Sequence, residues 1–198
     1  MTTIDPAPPD ARFFGYGSLV NGATHGYPDL APARLSGWRR HWRRVPGRRV
    51  CVLSVRRVPG GGIDGATARV PGGDWASLDL REAAYERIDC ADALRPAPGG
   101  PVALYAVPGA PRGGGPDDPP VLLSYLDTVA AGFAALHGPD GPAGFFEETD
   151  GWAMPVADDR AAPIYPRHLA VGAAIEALVD EELRRRGVRV VPAGPDWP

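Results

Sequence analysis

Lysine is absent from this 198-residue chain, in which all 21 basic residues are arginine. That excludes an imine-forming lysine, the phosphate lysine of a P-loop and a serine–lysine dyad. Cysteine is nearly absent too. Cys51 and Cys90 stand alone with no Cys-x-x-Cys pair, a pattern of buried thiols rather than of a disulfide or zinc framework. No apolar run approaches the roughly 18 residues of a membrane span, and the first ten residues lack the charged, apolar and small blocks of a leader. A cytoplasmic protein without a membrane partner is expected. Charge of one sign is also in short supply. The formal net charge of -3 argues against a dedicated nucleic-acid or membrane-surface binder, which carries a large basic excess.

Glycine, by contrast, occurs 26 times and proline 24 times, about a quarter of the chain, beside 30 alanines. Composition of this kind borders on low complexity. Leu, Ile, Val and Phe nevertheless make up about 21% of the chain and five Trp accompany them, enough to bury a core. Residues 1–12 read as a flexible arm and 13–198 as a single domain. The apolar runs at Phe13–Leu19, Val50–Val55, Gly65–Val70, Val102–Val107 and Val188–Val191 read as strands, with Pro59–Gly62 separating two of them. Helical spacing follows Asp74, through Trp75, Leu78, Glu82 and Tyr85, and recurs over Pro119–Gly138 and Pro166–Arg186. Pro108–Asp118 reads as a loose loop. Strands and helices that do not alternate regularly favour an α+β fold.

Glu82 is unusually placed. A helix that buries Trp75, Leu78 and Tyr85 turns this carboxylate inward as well, where charge is costly and the pKa rises, as suits a general base. The bland alternative is a surface Glu paired with Arg81 or Arg87. Gly15-Tyr16-Gly17-Ser18-Leu19 is the second feature. Its glycines permit close backbone approach, so that successive N–H groups can converge on a carboxylate or oxyanion. Val20 stands where a dinucleotide fingerprint needs a third glycine, and Tyr16 stands where a nucleophile elbow needs glycine before Ser18. A purely structural turn is an equal alternative.

Together these features resemble the γ-glutamylcyclotransferase superfamily, particularly its bacterial and ChaC-like branches. Phe14-Gly15-Tyr16-Gly17-Ser18-Leu19, Leu35-Ser36-Gly37-Trp38-Arg39-Arg40, Ile63-Asp64-Gly65 and Leu78-Asp79-Leu80-Arg81-Glu82 with Tyr85 carry the resemblance over roughly Phe13–Val107. Ser124-Tyr125-Leu126, Gly132-Phe133, Asp159-Arg160 and Tyr165-Pro166-Arg167 are similar to the C-terminal helical extension of some members. The resemblance implies a small mixed β-barrel flanked by helices. It also implies an enzyme that cyclises a γ-glutamyl amide or peptide to 5-oxoproline, needs no cofactor or metal, and acts as a monomer or homodimer on a small-molecule substrate. Glu82 would be the catalytic base. Tyr16, Gly17, Ser18, Leu19, Arg39, Tyr85, Tyr125 and Tyr165 would contact substrate, with Arg167 as a further wall. Ala83-Ala84 stand where relatives place Gly, so the turn after the helix departs from the family's pattern and Tyr85 could touch substrate or simply pack.

Two other readings are open. A non-catalytic member of the same fold could bind the ligand alone. Trp38–Arg49, with six Arg and two Trp, could bind single-stranded nucleic acid by phosphate contact and stacking. It could equally be a half-buried strand and a polar turn.

Overall fold

Strand β1 (Arg12–Gly15) sends successive side chains to opposite faces of its sheet, and its two phenylalanines therefore seed two cores. Phe14 joins a large cluster with Leu35, Trp42, Ile63, Leu104, Phe133 and Phe145. Phe13 joins a smaller one with Leu19, Val70, Leu78 and Tyr105. The structure, a computed structural model, describes residues 11–97, 99–110 and 112–194. The expected arm thus lies outside the described residues up to position 10; Ala11 is buried and Arg12 already belongs to β1.

The remaining elements, in order, are β2 (Ala31–Arg43), β3 (Val52–Arg69), α1 (Ala76–Arg81), β4 (Glu86–Asp89), β5 (Leu94–Arg95), β6 (Val102–Ala106) and β7 (Val121–Leu122). They continue with α2 (Leu123–His137), α3 (Gly141–Glu147), β8 (Thr149–Asp150), β9 (Val156–Asp158), α4 (Ala173–Arg185) and β10 (Val190–Pro192). Seven strands form one mixed sheet in the order β4-β6-β1-β3-β2-β5, with β8 beside β2. This sheet curls into a half-barrel. A small parallel sheet, β10-β9-β7, stands apart. The architecture is α+β, and no helix among the described residues is long and apolar enough to cross a membrane.

Pro59–Gly62 does not separate two strands. β2 and β3 pair from Ala31↔Thr67 to Ser36↔Gly62 and resume, shifted, from Trp38↔Arg57 to Arg43↔Val52. The intervening residues form a bulge that Gly60, at φ +75°, can turn. The helix read from Asp74 to Tyr85 ends at Arg81. Its N-cap is Trp75, with no side-chain cap bond, rather than Asp74, which accepts the Ala76 N–H at 3.1 Å from one residue earlier. The last helix begins only at Ala173. The Pro108–Asp118 loop is better held than its composition suggests. The Arg43 guanidinium donates to the carbonyls of Pro108 at 2.9 Å, Gly109 at 3.1 Å and Ala110 at 2.6 Å.

Candidate active site

The chain leaves β1 through Gly15 because only glycine fits there: a Cβ would lie 2.6 Å from that of Leu19. A tight turn follows, closed by Val20 N–H to Gly17 O at 2.9 Å and Asn21 N–H to Ser18 O at 3.1 Å. Three contacts fix it from outside. Asn21 Nδ2 donates to the Thr128 carbonyl of α2 at 2.8 Å. His25 Nε2 lies 3.1 Å from Leu19 O, while its Nδ1 accepts the Tyr27 N–H at 3.2 Å. The ring is thereby held neutral, with Nε2 as the donor.

The third contact comes from Arg40, whose side chain is fully buried. Its Nε donates to Tyr16 O at 2.9 Å, Nη1 reaches Glu148 at 3.1 Å and Nη2 donates to the Asp64 carbonyl. A trans peptide points its C=O and N–H in opposite directions. Holding the Tyr16 carbonyl therefore turns the Gly17 N–H away from Arg40. Among the described residues the N–H groups of Gly17 and Leu19 donate to no turn or side-chain partner, while that of Ser18 faces the Tyr125 hydroxyl.

This turn forms one wall of a cavity of about 560 Å³. Helix α1 supplies the opposite wall. Leu78, fully buried, anchors the helix, and Glu82, four residues on, shares its face as the C-cap, with its N–H donating to Leu78 O at 2.9 Å. The inward and the paired readings of Glu82 are both realised. Its carboxylate lines the cavity at 17% exposure and accepts from Arg81 Nε at 3.1 Å. Arg81 in turn donates to the Thr24 carbonyl at 3.0 Å, tying the end of α1 to the chain just beyond the turn. Burial raises the Glu82 pKa, and the nearby Arg81 and Arg167 only partly offset it. Arg87 is occupied elsewhere, pairing with Asp79 at 3.0 Å and lying over the Trp75 ring.

Tyrosines complete the cavity. Tyr16, Tyr85, Tyr105, Tyr125 and Tyr165 all line it, five of the six in the chain. Tyr16 donates to Tyr105 O at 2.5 Å and Tyr85 to Leu53 O at 3.2 Å, so both phenols are committed to the frame. The Ala83-Ala84 turn brings Tyr85 inward through its N–H to Glu82 O at 2.8 Å. Tyr125 and Tyr165 meet edge to face at 5.1 Å. Buried Asp159 holds this side, accepting from the Ser124 N–H at 2.8 Å, the Ser124 hydroxyl at 2.6 Å and the Ile164 N–H at 2.8 Å. Tyr125 and the Tyr165–Arg167 stretch are thereby fixed from the residues beside them.

Of the ten residues singled out from sequence, Arg167 included, nine line this one cavity; Arg39 does not. Arg39 and Arg40 point to opposite sides of β2, as strand alternation requires. Arg39 faces away and pairs with Asp150 at 2.7 Å. Sequence reasoning overlooked Arg48, Cys51, Leu53 and Tyr105. Arg48 was hidden in the basic, aromatic stretch, and a strand residue such as Tyr105 reveals its face only through its partners. That stretch offers no exposed ring for base stacking, since Trp38 and Trp42 are both buried. Among the described residues, no group of three or more His, Cys, Asp or Glu is placed to hold a metal ion.

No protein-family model and no curated protein matches this chain. Solved structures do. An uncharacterized human protein, loc79017, superposes with a TM-score of 0.56 at 15% identity, covering 87% of this chain and 99% of its own. A protein described as gamma-glutamyl cyclotransferase gives a TM-score of 0.56 at 15% identity, with 87% and 99% coverage. YkqA from Bacillus subtilis gives 0.52 at 18% identity, over 69% of this chain and 52% of that one.

Proposed function

From the γ-glutamyl cyclotransferase fold that this chain shares, we propose that it catalyses the intramolecular aminolysis of a γ-glutamyl amide or peptide. Glu82 would take a proton from the substrate α-ammonium. The freed amine attacks the γ-carbonyl carbon, and the oxyanion that forms is met by the N–H groups of Gly17 and Leu19. As the C–N bond breaks, Glu82 returns its proton to the departing nitrogen, and the second proton of the attacking nitrogen passes the same way, which leaves 5-oxoproline, the amine or amino acid released as its ammonium, and Glu82 ionised again. The raised pKa of Glu82 suits a group that must both accept and return a proton. The tyrosine walls and the Tyr16–Leu19 turn fold the glutamyl chain toward attack, so that proximity adds to the acid–base contribution. A cytoplasmic setting fits the two free thiols of Cys51 and Cys90.

The observation that carries this reading is that a half-buried carboxylate and the Gly15–Leu19 turn line one tyrosine-walled cavity. A panel of γ-glutamyl amides assayed for 5-oxoproline tests it. At least one is expected to turn over, and Glu82→Gln is expected to slow that turnover by about 10² to 10⁴. Wild-type rates in Glu82→Gln would remove Glu82 as the base. Binding without turnover across the panel would favour the non-catalytic member of the fold.

A further inference from the structure

The chain as a whole is acidic, with a net charge of -3, yet its cavity is not. The charged lining residues are Arg48, Arg81, Glu82 and Arg167. Arg81 and Glu82 pair with each other, which leaves two positive charges. Arg48 belongs to the connection between β2 and β3, whereas Arg167 follows Tyr165 in the stretch that Asp159 anchors. Both side chains are exposed, and among the described residues neither guanidinium makes a hydrogen bond or ion pair. Elsewhere in this molecule, arginines are commonly matched. Arg34, Arg39, Arg40, Arg56, Arg69 and Arg160 each pair with a carboxylate.

Position separates what these two arginines can reach from what the interior groups reach. Glu82 and the Tyr16–Leu19 turn belong to the buried part of the cavity, where the glutamyl amine and γ-carbonyl must lie if Glu82 is the base. Exposed cations at the mouth meet the part of the ligand that projects outward, which is the group attached through the scissile amide. Arg167 is near enough to Glu82 to act on its charge, and Arg48 to act on the Tyr85 phenol. The two therefore line the one cavity from separate connections.

Resting on the cyclotransferase reading above, we infer that Arg48 and Arg167 form an anion-binding rim for a carboxylate on the leaving group. The preferred substrates are then γ-glutamyl amino acids and γ-glutamyl peptides. Guanidinium forks match a carboxylate in both shape and charge. A γ-glutamyl amino acid carries one net negative charge, a γ-glutamyl alkylamide none, and a γ-glutamyl diamine one positive charge. The rim attracts the first, gains nothing from the second and repels the third.

γ-Glutamylalanine and γ-glutamylethylamide have the same leaving-group skeleton apart from one carboxylate. We expect calorimetric titration of Glu82→Gln, which holds ligand without consuming it, to show γ-glutamylalanine binding about tenfold tighter. That preference is expected to weaken with added salt and to fall within about twofold when Arg48→Ala and Arg167→Ala are added together. Equal affinities, failure of both compounds to bind, or a preference that survives loss of both arginines would each overturn the rim. Wild-type protein that shows the preference but releases no 5-oxoproline would overturn the cyclotransferase reading and leave the anion-binding rim in place.

Discussion

Glycine at position 17 is required by its neighbours. A Cβ there would stand 2.6 Å from the Tyr125 hydroxyl and 3.1 Å from Leu53 Cδ2, so the turn and the tyrosine wall fit together only without it. Gly17→Ala should cost about 1–3 kcal/mol of stability and lower kcat/KM by pushing Tyr125 off the turn. Tyr125→Phe in the same chain removes the clashing oxygen and should restore part of both, as thermal melts and steady-state assays would show. Glu82 sets the second residue-scale expectation. A base works only when ionised, so kcat/KM should fall with decreasing pH, and burial places that acid limb above the ordinary carboxylate range. Arg81→Gln removes the charge that most offsets the burial and should move the limb further up; a limb that stayed in place would separate it from Glu82. Glu82 was legible because the three- and four-residue spacing from Leu78 survives even though the helix is short. Its partnership with Arg81 was open, because adjacent residues on a helix diverge and meet only where the helix ends.

On β2, neighbouring arginines have opposite fates. Arg40 is buried between the Phe133 and Phe145 rings and bonded to Tyr16, Glu148 and Asp64, whereas Arg39 pairs with Asp150 at the surface. Burial lowers the Arg40 pKa to about 10, which leaves it charged at neutral pH. Arg40→Leu should therefore destabilise by about 2–5 kcal/mol, since it leaves the Tyr16 and Asp64 carbonyls without their side-chain donor while Glu148 keeps Arg34 and the Asp64 N–H, and turnover should drop with it. Arg39→Ala should cost no more than about 1 kcal/mol. Urea unfolding of the two variants would read this contrast. Element boundaries were less legible than element types. Pro59–Gly62 interrupts the apolar pattern but not β3, because a bulge absorbs the extra residues while pairing resumes beyond them. Helix α3 escaped notice because Gly141-Pro142-Ala143-Gly144 reads as a turn, although proline is tolerated in a helix's first turn. Two-residue strands such as β5, β7 and β8 have no period to detect and exist only through their partners.

At the scale of the molecule, the α+β class followed from irregular alternation alone, whereas the half-barrel did not. Its curl depends on β1 pairing in parallel with β6 and antiparallel with β3, and no local pattern specifies such distant contacts. The cavity is likewise a product of long-range closure. Residues from near 16, 48, 82, 125 and 167 meet in it, and the resemblance of separate motifs to one family anticipated most of that meeting where spacing could not.

Walling a cavity with phenols also sets an alkaline limit on the fold. Burial raises the pKa of Tyr16, Tyr85, Tyr105 and Tyr125, and it pushes the Cys51 thiol up to about 11 and the Cys90 thiol up to about 12. An unfolded chain ionises its thiols near about 8.5 and its phenols near about 10. The stability these neutral groups contribute is thus fully present below those values and is lost as pH rises through the folded ones. The lowered pKa values of Arg40 and Arg43 act in the opposite direction, but they are two groups against six. The urea midpoint should hold level from neutrality to about pH 8 and decline beyond, with phenolate absorbance from these tyrosines appearing only as the fold is lost. Stepwise phenolate absorbance in a protein still folded would contradict this. The tyrosines that dry the candidate site thereby make hydroxide a denaturant that enters through the chain's own chromophores.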